Sequence, residues 1–65
     1  METIENELLT EWRNLSFSVQ FIYERIKNDT GLSKPTARMA IKYGKATPNT
    51  IEILTKFFDN LKTAV

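Results

Sequence analysis

The residues best suited to chemistry in this sequence are cations gathered in one short segment. Residues 25–45 contain six lysines and arginines but only one carboxylate, Asp29, and carry a net charge of +5. Residues 1–24 carry −4, because five glutamates face a single cation, Arg13, and residues 46–65 are balanced. Clustered lysine and arginine neutralise phosphates and release counterions, so the segment favours a polyanionic partner. Charge alone is also compatible with an ordinary solvated face.

The residues that most often carry catalysis and metal binding are missing. The chain has neither cysteine nor histidine, which removes thiolate sites, disulfides, the commonest general base and the commonest metal ligand. Carboxylates and lysines remain, but the glutamates near the start fit a solvated helix face. We expect a protein that is not an enzyme, with no cofactor and no metal.

Length and apolar content indicate one small domain. The 65 residues are 42% hydrophobic, enough for a globular core and too many for a disordered tail. No apolar run could span a bilayer, and the acidic start METIENE lacks the basic region of a signal peptide. We therefore expect a single all-α domain over residues 1–65, located in the cytoplasm and without a membrane partner.

Apolar spacing and helix-boundary residues predict four helices and no strand. The first covers about residues 3–14, and the linker LSFS follows it. The second covers about residues 19–29, with Ser18 as its N-cap. Glycines at positions 31 and 44 mark the ends of the second and third helices. The predicted core stripes are Ile4, Leu8, Trp12 and Leu15; Val19, Ile22, Tyr23 and Ile26; and Ile51, Leu54, Phe58 and Leu61, with Phe57 at the edge.

The third helix, about residues 33–43, is the one that the cations decorate. Ser33 is placed to cap it, and a proline in its first turn loses no hydrogen bond. The fourth helix follows with Thr47 as N-cap and Pro48 as its first residue. On the third helix the inward face is Ala37, Ala40 and Ile41, and the outward face is Pro35, Met39 and Lys42, flanked by Arg38 and Tyr43.

Two helices joined by a glycine turn, the second short, capped and basic, are typical of a helix-turn-helix. Residues 23–61 resemble the Cro and phage-repressor (XRE-like) helix-turn-helix family in the segments TGLSKPTARMAIKYGK and GKATPNTIEILTKFFDNL. The chain departs from the family pattern at Lys27 and Thr30, where a small and an apolar residue are usual. The resemblance implies a small four-helix, lambda-repressor-like domain whose third helix enters the DNA major groove.

The resemblance also implies which side chains meet DNA. Arg38 would contact guanine and Met39 a thymine methyl, while residues around the start of the fourth helix would face phosphate. The expected DNA-contacting residues are Ser33, Lys34, Pro35, Thr36, Arg38, Met39, Lys42, Lys45, Thr47 and Asn49.

Such modules commonly bind two half-sites as a pair, so we expect a homodimer. Four apolar residues off the core stripes, Leu9, Phe21, Ile53 and Phe57, are the candidates for its interface.

The resulting hypothesis is a sequence-specific transcriptional regulator, a Cro-like repressor of the type carried by phages and mobile elements, acting on a double-stranded operator. One alternative is a protein-interaction module, such as an antirepressor, that uses the same fold on a protein partner. Another is an excisionase-like architectural factor that bends DNA.

Overall fold

The computed structural model describes residues 1–63 and contains, in that part of the chain, four helices and two very short strands. Their order is β1 (Glu2–Thr3), α1 (Asn6–Ser18), α2 (Ile22–Thr30), α3 (Lys34–Tyr43), β2 (Lys45–Ala46) and α4 (Pro48–Thr63). The helical class and the number of helices are confirmed. The last two residues of the expected 1–65 domain lie outside the described residues.

The prediction of no strand was wrong. Residues 2–3 pair antiparallel with residues 45–46, in the register Glu2 to Ala46 and Thr3 to Lys45. Ile4 follows β1 directly, is only 3% exposed and donates its backbone N–H to the carbonyl of Gly44 at 2.8 Å. The first helix therefore begins at residue 6 rather than 3, and the N-terminal segment is spent on holding the end of α3.

The boundary between the first two helices was also placed wrongly. The expected linker LSFS forms the last turn of α1, where the Ser18 hydroxyl donates to the Leu15 carbonyl at 2.8 Å instead of capping α2. Reversal occurs at Phe21, whose φ of 57° and ψ of 42° are left-handed. A bulky residue in that region is uncommon, and α2 starts only after it, at Ile22.

Aromatic packing between α1 and α4 forms the centre of the core. The Trp12 and Phe58 rings stack at 5.3 Å between centroids, and Phe57 meets Phe58 edge-on at 5.2 Å. Ile26 from α2 and Leu54 from α4 are fully buried beside them. Phe57, expected at the margin of its helix and available for a dimer, is 7% exposed and belongs to the core.

The inward face of α3 is as thin as its sequence predicts. Ala37 and Ala40 are completely buried and Ile41 is 3% exposed. Small side chains let α3 lie close to its neighbours but contribute little apolar area. Gly44 ends the helix with a φ of 69°, and its N–H donates to the carbonyl of Ala40.

An ion pair between Lys62 and Glu11 links the end of α4 to α1. None of the helices within residues 1–63 combines the length and the apolar character needed to cross a bilayer.

We expect Phe21→Asn to raise the free energy of unfolding by about 0.5–1 kcal/mol, because asparagine tolerates left-handed backbone better than phenylalanine does. Phe21 is 69% exposed, so its replacement removes little packing. Urea unfolding of this variant, with Gln20→Asn as the neighbouring control, measures the difference. A loss of stability would show that the Phe21 side chain is needed where it lies.

The two glycines should respond differently to alanine. Both have positive φ, so each substitution should cost about 1 kcal/mol from backbone strain. A Cβ at Gly31 meets nothing within 4 Å, whereas one at Gly44 would lie 2.8 Å from Cδ2 of Leu9. We therefore expect Gly44→Ala to lower the urea midpoint further than Gly31→Ala. Equal losses would mean that Leu9 moves aside freely.

Candidate nucleic-acid interface

Helices α2 and α3 are joined by a turn of residues 31–33, and the turn is fixed by its own hydrogen bonds. Gly31 adopts a φ of 80° and donates its N–H to the Lys27 carbonyl at 2.9 Å. The Thr30 hydroxyl donates to the Ile26 carbonyl at 2.6 Å and accepts the N–H of Leu32 at 3.3 Å. Thr30, a departure from the family pattern in the sequence, thus ties the end of α2 to the turn.

α3 begins directly after Ser33, the predicted N-cap residue, but the Ser33 side chain accepts no backbone N–H of the helix. Ser33 occupies the N-cap position with extended backbone, and its hydroxyl lies 2.7 Å from that of Thr36. No side chain within residues 1–63 caps a backbone N–H of this first turn. Pro35 lies in that turn, as expected. The exposed end of α3 keeps donors that an outside acceptor can use.

Three cations follow one another along α3 at four-residue spacing, which places them in a row on one flank of the helix. Lys34, Arg38 and Lys42 are all exposed. The two ion pairs found within residues 1–63 lie elsewhere, one inside α4 and one between α4 and α1. α3 itself contains no acidic residue. No carboxylate within residues 1–63 therefore forms an ion pair with this row, although Glu24 on α2 lines the same hollow as Lys34 and Arg38.

Aromatic rings lie against two of these cations. The Arg38 guanidinium is 5.9 Å from the centroid of the Tyr23 ring on α2, and Lys42 Nζ is 6.0 Å from that of Tyr43. Such cation–π contacts are worth about 0.5–1 kcal/mol at exposed sites. Tyr23, expected only as a core residue, therefore also orients the Arg38 side chain.

On the other flank of α3, the predicted residues gather around a shallow hollow of about 290 Å³. Met39, 38% exposed, lies there, and β2 and the start of α4 complete the hollow. Five of the predicted DNA-contacting residues line it: Pro35, Thr36, Met39, Lys45 and Thr47. Asn49 is exposed in the first turn of α4.

Thr47 caps α4 as predicted. The Thr47 hydroxyl accepts the N–H of Thr50 at 3.3 Å and donates its own proton to the Thr50 hydroxyl oxygen at 2.9 Å. The hydroxyl proton is thus already engaged. Contact of Thr47 with a phosphate stays a prediction and would require exchange of this bond.

Arg13 is a positioning residue that the sequence analysis missed. From α1 its Nε donates to the Ile41 carbonyl at 3.1 Å, and a terminal nitrogen donates to the Lys42 carbonyl at 2.6 Å. These carbonyls lie at the C-terminus of α3, where no further helical N–H follows and the helix dipole is negative. The only available signal was that Arg13 is the single cation among residues 1–24.

The four residues expected at a dimer interface do not share one kind of environment. Phe21 is exposed on the connection between α1 and α2, and Ile53 is half-buried beside a hollow between α2 and α4. Leu9 packs against the core and lies beside Gly44. Since Phe57 is a core residue, only Phe21 presents most of its surface to solvent.

Comparison of the chain with protein-family models, with curated proteins and with solved structures finds no match.

We expect Arg13→Gln to lower the free energy of unfolding by about 1 kcal/mol, because two carbonyls at the end of α3 lose a charged donor. Arg25→Gln is the matched control, since Arg25 is exposed on α2. Hydrogen exchange should show faster exchange at the C-terminal turn of α3 in Arg13→Gln only. Unchanged exchange there would mean that Gly44 and the strand pair hold the helix end without Arg13.

Proposed function

We propose that α2 and α3 form a helix-turn-helix and that the chain is a DNA-binding transcriptional regulator of the Cro-like repressor type. In this proposal α3 lies in the major groove, which is about 12 Å wide and admits one helix. The three-residue turn between the helices and the exposed outer face of α3 are compatible with that arrangement.

The observation that carries the proposal is the row of Lys34, Arg38 and Lys42, which form no ion pair within residues 1–63, on a helix whose opposite face is buried. Ala37 and Ala40 keep α3 seated closely on the domain, so the long cationic side chains are what projects. A solvated helix face often alternates carboxylates with cations, and α3 has no carboxylate, which favours a polyanionic partner. Phosphates on both sides of a groove would supply the missing negative charge.

Roles within this face follow from side-chain chemistry. Arg38, oriented by Tyr23, has the planar fork that pairs with O6 and N7 of guanine, and Met39 offers an apolar surface to a thymine methyl. Lys45 in β2 and Asn49 in the first turn of α4 are exposed and would contact phosphate. The uncapped first turn of α3, which follows Ser33, adds backbone N–H donors that could bind a phosphate.

A single module of this size makes few base contacts, so the proposal includes pairing of two copies on two half-sites. Phe21 and Ile53 remain the candidates for that contact. Bound to an operator, such a dimer would repress by blocking access of polymerase to the promoter.

The test is fluorescence anisotropy of a labelled random-sequence duplex of about 20 base pairs, titrated with protein over a series of salt concentrations. For wild type we expect steep salt dependence. Arg38→Ala/Lys42→Ala should bind more weakly, and log K should depend less steeply on log salt, by about two units, because on a random sequence both cations would neutralise phosphates.

The charge-matched control is Arg25→Ala/Lys56→Ala. These two exposed cations line the hollow between α2 and α4, which no residue of α3 lines. The control should keep the wild-type slope, and circular dichroism confirms that each variant is folded. An equal loss of duplex affinity in both variants would mean that only the net charge matters, and α3 would then not be the DNA-contacting helix. Absence of binding at low salt would overturn the DNA-binding proposal.

Sedimentation at tens of micromolar tests the dimer.

A further inference from the structure

Phe17 is the most exposed of the large apolar side chains in the described chain, at 89%. A single exposed phenylalanine is ordinary on a protein surface. This one, however, lies on the rim of a groove of about 440 Å³ between the end of α1, the start of α2 and α3. We call it the aromatic groove, and the residues that define it here are Phe17, Tyr23, Ile41, Arg13, Arg38 and Lys42.

The charge of the aromatic groove has one sign. Three of its lining residues, Arg13, Arg38 and Lys42, are cations, and no carboxylate lines it. Arg13 already donates to two carbonyls of α3, so Arg38 and Lys42 are the cations with donors to spare. A ligand that is both apolar and negatively charged is complementary to this groove.

The apolar surface of the groove favours a peptide over a nucleic acid as its ligand. The Arg38 guanidinium already lies over the ring of Tyr23, and Ile41 is 3% exposed. The ring of Phe17 is therefore the main free apolar surface, and the groove offers no second open aromatic ring to hold an unstacked base. An aliphatic or aromatic side chain of a peptide needs only one such contact, and neighbouring carboxylates can reach Arg38 and Lys42.

We propose that the aromatic groove binds an acidic amphipathic segment of a partner protein. Apolar side chains of that segment would contact Phe17, and its carboxylates would pair with Arg38 and Lys42. This proposal rests on the proposed function in one respect. Because Arg38 and Lys42 are also the residues assigned to DNA, the segment and the operator would compete for them, and binding of the partner would release DNA.

The probe is a labelled synthetic helix of about fifteen residues with leucines at every third and fourth position and glutamates elsewhere. Versions with glutamine for glutamate and serine for leucine are the peptide controls. The protein variants are Phe17→Asn and, as the matched control, Phe21→Asn, an exposed phenylalanine that does not line the groove. Circular dichroism first confirms that both are folded.

We expect the acidic helix to bind wild type and Phe21→Asn alike, and Phe17→Asn at least about fivefold more weakly. Both control peptides should bind wild type more weakly than the acidic helix. A labelled duplex should bind wild type and Phe17→Asn equally, and the acidic helix should displace it from wild type at lower concentrations than from Phe17→Asn.

Three results would overturn the proposal: no binding of the acidic helix up to about 1 mM, equal peptide binding by wild type and Phe17→Asn, or an equal loss of duplex and peptide binding in Phe17→Asn. The last result would make the groove part of the nucleic-acid contact. Peptide binding that depends on Phe17, in a protein that binds no duplex, would uphold the groove as a peptide site and overturn the proposed function and the competition.

Discussion

The structure depends on how the C-terminus of α3 is held, because α3 itself buries little apolar surface. Two alanines and Ile41 cannot anchor a ten-residue helix by area alone. Its end is instead fixed at Gly44, whose left-handed backbone redirects the chain and whose carbonyl accepts the N–H of Ile4. Arg13 donates to the carbonyls of Ile41 and Lys42, near the end of the helix. α1 and the N-terminal segment therefore fix the orientation of α3, and with it the direction in which its outer face points.

Much of this arrangement follows from local sequence signals. The glycines at 31 and 44 predicted the ends of α2 and α3, and the cap positions Ser33 and Thr47 predicted the starts of α3 and α4, since each signal acts within one turn of backbone. The boundary between α1 and α2 was predicted wrongly because no such local signal marks it. Phe21 has no local preference for a left-handed backbone, so nothing in its residue type marked the reversal. The two-residue strands are too short to show a period, and they form because residues 2–3 and 45–46 meet in space.

Helical spacing also predicted which α3 side chains project, because one buried face fixes the opposite one. It could not predict the partners of those side chains. The contact between Arg38 and Tyr23 and the donors from Arg13 join different helices, and their geometry depends on how the helices cross. Phe57 shows the same limit, since it lies at the edge of the α4 stripe yet is covered by neighbouring elements. The row of cations was thus predictable, whereas the groove beside it was visible only in three dimensions.

The pairing of β1 with β2 has a consequence for the order of folding. It joins residues about forty positions apart in the chain, whereas α2, its turn and α3 are contiguous. Closing so long a loop costs more chain entropy than forming a local helix pair. We expect the two strands to dock late and to open first, and each opening would loosen the end of α3 without unfolding the core. A fusion partner attached at Met1 would act directly on this strand pair.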